Sequence, residues 1–102
     1  MDVTLLYVDG CPHWQTADAR LRVLADEFGL HVTYRKVSSP EEAEVLAFHG
    51  SPTVLLDGQD PFPAEGEPGL ACRIYQTPAG PAGAPTIELL RAVLATDREG
   101  RL

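Results

Sequence analysis

The chain has 102 residues, of which 44% are hydrophobic and 23% charged, a composition typical of one globular domain. The formal net charge is −7, and the eight Lys and Arg residues are scattered along the chain. Nucleic acids and anionic membranes are bound by clustered basic residues, so the sequence argues against both as partners. No apolar run approaches the roughly 20 residues that cross a bilayer, and the first such run is too short for a signal peptide. We therefore expect a soluble, cytoplasmic protein with no membrane partner.

The first elements are a strand and a helix. Residues 3–8 form a continuous β-prone run, which suits a strand covered on both faces, and Asp9-Gly10 ends it. Residues 14–28 follow with a helical spacing of apolar side chains, before Gly29, a residue that commonly stops a helix. The predicted apolar face consists of Ala17, Leu21, Leu24 and Phe28, with Asp18, Arg22 and Asp26 on other faces.

A second strand and helix come next. Residues 31–37 alternate in a way that predicts a partly exposed strand. Ser39 fits an N-cap, Pro40 fits the first helical position, and Glu42 completes a capping box. We expect this helix to run to about Phe48.

The second half of the chain is richer in Pro and Gly. It is predicted to contain strands at 53–56 and 71–75, a turn at Asp57-Gly58, loops at 59–69 and 77–84, a helix from 85 or 86 to about 95, and a polar tail at 97–102. The last helix has its apolar face at Ile87, Leu90, Val93 and Leu94. The element order β-α-β-α-β-β-α predicts one α/β domain, residues 1–96, with a four-stranded mixed sheet flanked by helices and a long loop between strands three and four.

The candidate site for chemistry is Cys11-Pro12-His13-Trp14, between the first predicted strand and the first predicted helix. A thiol at a helix N-terminus is tilted towards the thiolate by the helix dipole and the unpaired N–H groups of the first turn. Pro12 fits that turn because its missing N–H costs nothing there. Cys11 is therefore the candidate reactive residue.

This order of elements, with Cys11-Pro12-His13 after the first strand and Gly50-Ser51-Pro52-Thr53 before the third, resembles the thioredoxin-like superfamily over nearly the whole chain. The resemblance implies that the Ser51–Pro52 peptide is cis and packs beside Cys11, and that the backbone of Ser51 and Pro52 holds an extended substrate chain. It also implies a place for Tyr75 near the thiol.

The resemblance has one departure. Cys11-Pro12-His13 looks like the start of the Cys-Pro-His-Cys motif of that superfamily, but Trp14 stands where the resolving cysteine would be. A dithiol cycle needs a second thiol to attack the mixed disulfide. The only other cysteine, Cys72, is expected in the fourth strand, over 10 Å from Cys11, as a small buried core residue. The minority alternative is that the loop at 59–69 carries Cys72 elsewhere.

Two neighbours of Cys11 have alternative interpretations. His13 would supply charge or a hydrogen bond to the thiolate, or is simply a polar residue of the first turn. Trp14 would be a platform for an apolar or peptide ligand, or part of the core. Two Cys and three His offer no metal-ligand spacing, so neither a metal nor another cofactor is expected.

The leading functional prediction is a monothiol thiol–disulfide oxidoreductase. Cys11 would attack a protein or small-molecule disulfide, and an external low-molecular-weight thiol would resolve the product. His13 would stabilise the thiolate, while Ser51 and Pro52 would hold the substrate.

Two alternatives remain at this point. One is a non-catalytic thioredoxin-like binding module whose groove, around Trp14, Pro52 and Tyr75, takes a partner peptide or an apolar ligand. The other is capture of an organomercurial or arsenical by Cys11, with Cys72 as a possible second ligand.

Overall fold

The computed structural model describes residues 1–62 and 67–100, and side chains for all of these except 97–100. Within this part of the chain the elements are β1 (Asp2–Tyr7), α1 (His13–Phe28), β2 (His31–Lys36), α2 (Pro40–Val45), β3 (Thr53–Leu56), β4 (Tyr75–Thr77), β5 (Gly80–Ala82) and α3 (Ile87–Gly100). The mixed α/β class is confirmed. No helix of these residues is long and apolar enough to cross a membrane.

The described residues form two sheets. The larger has the order β2-β1-β3, with β1 parallel to β2 and antiparallel to β3, and the smaller pairs β4 with β5 in antiparallel fashion. Leu6 lies opposite Thr53, so the end of β1 adjoins the start of β3. This register brings the residues just after β1 next to those just before β3.

The described residues do not form the predicted four-stranded sheet, because their larger sheet has three strands and their smaller sheet two. Residues 71–74 make only an isolated parallel bridge, Cys72 to Ser51, and the next strand starts at Tyr75. That strand pairs with β5, which lies in the segment 77–84 predicted as a loop. Residues 71–75 are β-prone, but strand propensity does not choose a partner, and the turn after Thr77 supplies a local one.

Apolar side chains cover both faces of the larger sheet, as the unbroken first strand predicted. On one face Val3 and Leu5 pack with the inward sides of α1 and α3. On the other face Leu6 packs with Ala43 of α2 and with Phe48. The alternation of β1 side chains thus fixes which helices lie on which side. The described members of the larger cluster that are buried are Val3, Leu5, Ala17, Leu21, Leu24, Val54, Leu56, Ala84, Leu90 and Leu94.

Several local signals are confirmed. Gly29 ends α1 in the left-handed region, at φ 66°. The Ser39 hydroxyl accepts from the Glu42 N–H at 3.1 Å. The Glu42 carboxylate completes the cap one residue further out than expected, by accepting from the Ser38 N–H at 2.8 Å. Asp57 and Gly58 both have positive φ, as a tight hairpin turn requires. β2 is largely exposed, in agreement with an edge strand.

Three expectations need correction. α2 ends at Val45 rather than near Phe48, because Phe48 leaves the helix and buries itself completely in the second core cluster. α3 continues to Gly100, so residues 97–100 of the expected tail are helical, while 101–102 lie outside the described residues. Asp18 is buried at 8% exposure, because the Tyr34 hydroxyl donates to its carboxylate at 2.6 Å.

Candidate functional site

Cys11 lies in the short turn between β1 and α1. Its N–H donates to the Val8 carbonyl at 3.4 Å, and Gly10 precedes it with φ 81°, a conformation that favours glycine. Pro12 is the N-cap residue of α1. This turn buries Cys11 to 4% exposure and sets its sulfur at the N-terminus of the helix, as the sequence predicted.

The surroundings of the Cys11 sulfur favour its ionised form. Burial alone would raise the pKa of this thiol, and it is the largest single influence. The Ser51 hydroxyl, the backbone N–H groups of His13 and Trp14, and the Cys72 thiol together outweigh it, so the pKa of Cys11 is lowered. The first-turn N–H groups are therefore one cause, but Ser51 contributes more than either.

Ser51 is the residue that links the two halves of the site. It is completely buried, and the Ser51–Pro52 peptide is cis, as the resemblance implied. Its hydroxyl accepts from the Val8 N–H at 3.2 Å, which leaves the hydroxyl proton free to point towards the Cys11 sulfur. Its carbonyl accepts from the Cys11 thiol at 3.6 Å.

The predicted position of Cys72 is wrong. Cys72 is exposed rather than buried, and it lies beside Ser51 rather than at the far end of the sheet. The Ser51 N–H donates to the Ala71 carbonyl at 2.8 Å, and the Arg73 N–H donates to the Ser51 carbonyl at 3.0 Å. We call residues 71–73, held in this way, the docked segment. It brings the Cys72 thiol into interaction with the Cys11 thiol.

The pKa values of the two thiols are shifted in opposite directions, that of Cys11 down and that of Cys72 up. The negative charge of Cys11 is the first cause that raises the pKa of Cys72, followed by the hydrogen bond between the two thiols and by burial. In the reduced protein Cys11 therefore ionises first while Cys72 keeps its proton. The pair consequently consists of a buried thiol that ionises first and an exposed thiol that ionises after it.

The course of the chain after β3 explains why Cys72 does not lie over 10 Å from Cys11, as the sequence had predicted. The chain leaves the far end of β3, and by Gly69 it has returned to Phe48, whose carbonyl accepts from the Gly69 N–H at 3.1 Å. An extended chain covers up to about 3.3–3.6 Å per residue, so the connection is long enough to run the length of the four-residue β3. The next residues then enter beside the start of β3. The minority alternative for Cys72 was the better one.

Arg73 anchors the docked segment. Its buried guanidinium donates to the Asp60 carboxylate at 2.6 Å, to the Phe62 carbonyl at 3.2 Å and to the Thr53 hydroxyl at 3.2 Å. A β-carbon added to Gly50 would come within 2.9 Å of the Arg73 β-carbon, so only glycine allows so close an approach. These contacts fix residues 71–73 against the sheet.

Tyr75 comes near the site, as predicted. Its hydroxyl donates to the Pro52 carbonyl at 2.5 Å, and its ring lies 4.7 Å from the Arg73 guanidinium carbon and packs edge-on against Phe62. Burial raises the pKa of this phenol well above its ordinary value; the nearby Arg73 charge acts against the shift and Asp60 adds to it. Tyr75 therefore stays neutral and supports the backbone around Pro52.

His13 and Trp14 are the first two residues of α1. The His13 side chain is exposed and lies against Gly83, where an added β-carbon would come within 2.4 Å of the imidazole. Trp14 is half-buried and stacks on Tyr7, with ring centroids 4.5 Å apart. A cavity of about 220 Å³ opens beside this stack and is lined by Tyr7, Trp14, Asp18, Arg22 and Tyr34. Trp14 thus contributes to packing and also borders a space that a small group could enter.

Sequence reasoning missed the anchor of the docked segment. Arg73 directly follows Cys72, and Asp60 lies in a loop rich in Pro and Gly, so neither belongs to a periodic pattern. A charged residue inside a β-prone run was the available signal, since a buried Arg requires an acidic partner.

The described residues hold no group of three or more His, Cys, Asp or Glu side chains arranged to bind a metal ion. No family model, no curated protein and no solved structure matches this chain.

Proposed function

We propose that the chain is a thioredoxin-like thiol–disulfide oxidoreductase in which Cys11 is the attacking thiolate. One observation carries this proposal: the buried Cys11 thiol lies at the N-terminus of α1, 3.6 Å from the Ser51 carbonyl, where Ser51 and the first-turn N–H groups lower its pKa. Reactive cysteines are found in such environments because the thiolate, not the thiol, is the nucleophile.

The reaction begins on a disulfide substrate. The Cys11 thiolate attacks one substrate sulfur, a new S–S bond forms between them, and the substrate S–S bond breaks. The second substrate sulfur leaves as a thiolate and takes a proton from water. The product is a mixed disulfide on Cys11, which a second thiol then resolves.

The neighbouring residues have assigned roles in this proposal. The N–H groups of His13 and Trp14 stabilise the thiolate, and Pro12 starts the helix that presents them. The Pro52 side chain is completely buried, so it supports the site from within, and of Pro52 and Trp14 only the half-buried Trp14 is open to a substrate. Tyr75 holds the Pro52 carbonyl by its hydrogen bond.

The test is the pH dependence of alkylation by iodoacetamide, with Cys11 as the only thiol in a Cys72→Ser background. We expect the midpoint of the alkylation rate to lie below that of an ordinary free thiol, because the hydrogen bonds to Cys11 favour its ionised form. Cys11→Ser is the matched control, in which Cys72 should titrate no lower than an ordinary thiol. If Cys11 showed an ordinary midpoint and formed no mixed disulfide with oxidised glutathione, the proposal would be wrong.

The nearness of the two thiols favours a second candidate, the capture of a soft thiophile such as an organomercurial or arsenical. Soft thiolate ligands select soft metals, and Cys11 and Cys72 interact directly. Titration with a mercurial separates this candidate from the first. Capture by the pair predicts weaker binding in both Cys11→Ser and Cys72→Ser, and unchanged binding in either variant would contradict it.

A further inference from the structure

The backbone groups of Ser51, which were expected to bind an extended substrate chain, already make hydrogen bonds within the protein. Its N–H and its carbonyl are bonded to Ala71 and Arg73 of the docked segment. The residue between these two, Cys72, is thereby placed next to Cys11 as the cysteine of a bound peptide would be. The chain thus places one of its own thiols where a substrate thiol was expected.

We propose that the docked segment is a built-in partner strand and that Cys72 is the thiol that resolves the mixed disulfide on Cys11. This inference rests on the proposed function, since it requires the mixed disulfide to form. It replaces the external resolving thiol that the absence of a cysteine at position 14 suggested.

The resolving step is balanced within the protein and its substrate. Cys72 loses its proton to water and attacks the Cys11 sulfur of the mixed disulfide. The Cys11–Cys72 bond forms and the bond between Cys11 and the substrate breaks, so that the substrate sulfur that Cys11 had attacked leaves as a thiolate and is protonated. Over both steps two protein thiols are oxidised to one disulfide and one substrate disulfide is reduced to two thiols. An external dithiol of the thioredoxin class would return the protein to its reduced form.

The charges around the pair favour this order of events. In the reduced protein the Cys11 thiolate raises the pKa of Cys72, so Cys72 remains protonated while Cys11 reacts. Once the Cys11 sulfur belongs to a disulfide it carries no charge, and the main cause of that raised pKa is gone. Cys72 therefore becomes easier to ionise at the stage at which it must attack.

The docked segment holds Cys72 in place and leaves it accessible to solvent. The buried Arg73 is tied to Asp60, Phe62 and Thr53, which holds the segment on its anchored side. Cys72 itself is exposed, so a small disulfide can approach the pair. Resolution by a thiol held at the site is faster than by one that must diffuse to it, because the geometry is already arranged.

The experiment treats reduced protein with oxidised glutathione and follows the intact, unreduced mass over time. For the natural sequence we expect a disulfide-bonded product that has lost two hydrogen atoms and carries no glutathione. Cys72→Ser should retain one glutathione on Cys11, which should be lost at least about tenfold more slowly than from the natural sequence. The control Cys72→Ser with Ile74→Cys moves the thiol to another exposed position of the same stretch, and its adduct should persist.

The outcomes separate the two proposals. If the natural sequence retains glutathione as long as Cys72→Ser does, or if the control with cysteine at 74 resolves equally fast, Cys72 is not the resolving thiol although Cys11 is reactive. If the adduct forms in Cys11→Ser and not in Cys72→Ser, the assigned order of the two thiols is wrong. If neither variant nor the natural sequence reacts, the proposed function itself fails.

Discussion

The ion pair that anchors the docked segment provides the sharpest test of how residues 71–73 are held. Asp60→Asn removes the charge opposite Arg73 and keeps the size and the oxygen acceptor of the side chain. The Arg73 side chain is only 4% exposed and that of Asp60 20%, with 2.6 Å between the guanidinium Nη1 and the carboxylate Oδ2. The substitution therefore leaves a buried cation without its counter-charge.

The expected loss of stability follows from this geometry. Removing one partner of a buried ion pair costs about 3–5 kcal/mol. Arg73 still donates to the Phe62 carbonyl and the Thr53 hydroxyl, and Asp60 is partly exposed, so we place the loss of unfolding free energy at about 2–3 kcal/mol. For a domain of this size such a loss lowers Tm by roughly 10–20 °C.

The measurement is urea denaturation at neutral pH, supported by the thermal midpoint. Asp9→Asn is the matched control, because it breaks the exposed pair with Lys36, whose two side chains are 80% and 47% exposed. Exposed pairs contribute about 0–1 kcal/mol, so this control should unfold almost as the natural sequence does. If Asp60→Asn were no more destabilising than Asp9→Asn, the anchoring role of the ion pair would be refuted.

Two further substitutions test the site itself. Ser51→Ala removes the hydroxyl that bonds the Cys11 sulfur and accepts from the Val8 N–H. The alkylation midpoint of Cys11 should therefore move to higher pH. An unmoved midpoint would show that Ser51 does not stabilise the thiolate. Tyr75→Phe removes the donor to the Pro52 carbonyl and should cost about 1–3 kcal/mol in urea denaturation. Because folding raises the pKa of Tyr75, its contribution to the free energy of unfolding is fully present below the ordinary tyrosine pKa and is lost as the pH rises above it. The natural sequence should therefore be destabilised more by alkali than Tyr75→Phe. Equal alkaline sensitivity would contradict the assignment.

Local patterns in the sequence were sufficient for the helices and for the first three strands. The spacing of Leu21 and Leu24, the stop at Gly29 and the cap at Ser39 act within one or two turns of chain, and the structure has all of them. Asp57-Gly58 likewise makes the expected turn. The helices differ from the prediction mainly at their C-terminal ends: α2 is shorter, because the side chain of Phe48 is buried in the core, and α3 is longer.

The position of the Cys11 thiol could also be predicted from the sequence. A cysteine after a buried strand and before an amphipathic helix lies at the helix N-terminus whatever the rest of the fold does. The cis peptide before Pro52 and its place beside Cys11 followed from the resemblance. Nothing in the local pattern identified the Ser51 hydroxyl as a larger influence on the Cys11 pKa than either first-turn N–H group, because Ser51 lies 40 positions away in the sequence.

The position of Cys72 was decided by tertiary structure alone. Its β-prone neighbours predicted a strand, but the choice of partner depends on where the preceding loop returns, and no periodic pattern encodes that path. The path is set by long-range interactions, the buried ion pair of Arg73 with Asp60 and the close approach of Arg73 to Gly50. The sequence therefore determined that one thiol lies at the N-terminus of a helix; only the folded chain determined that a second thiol lies beside it.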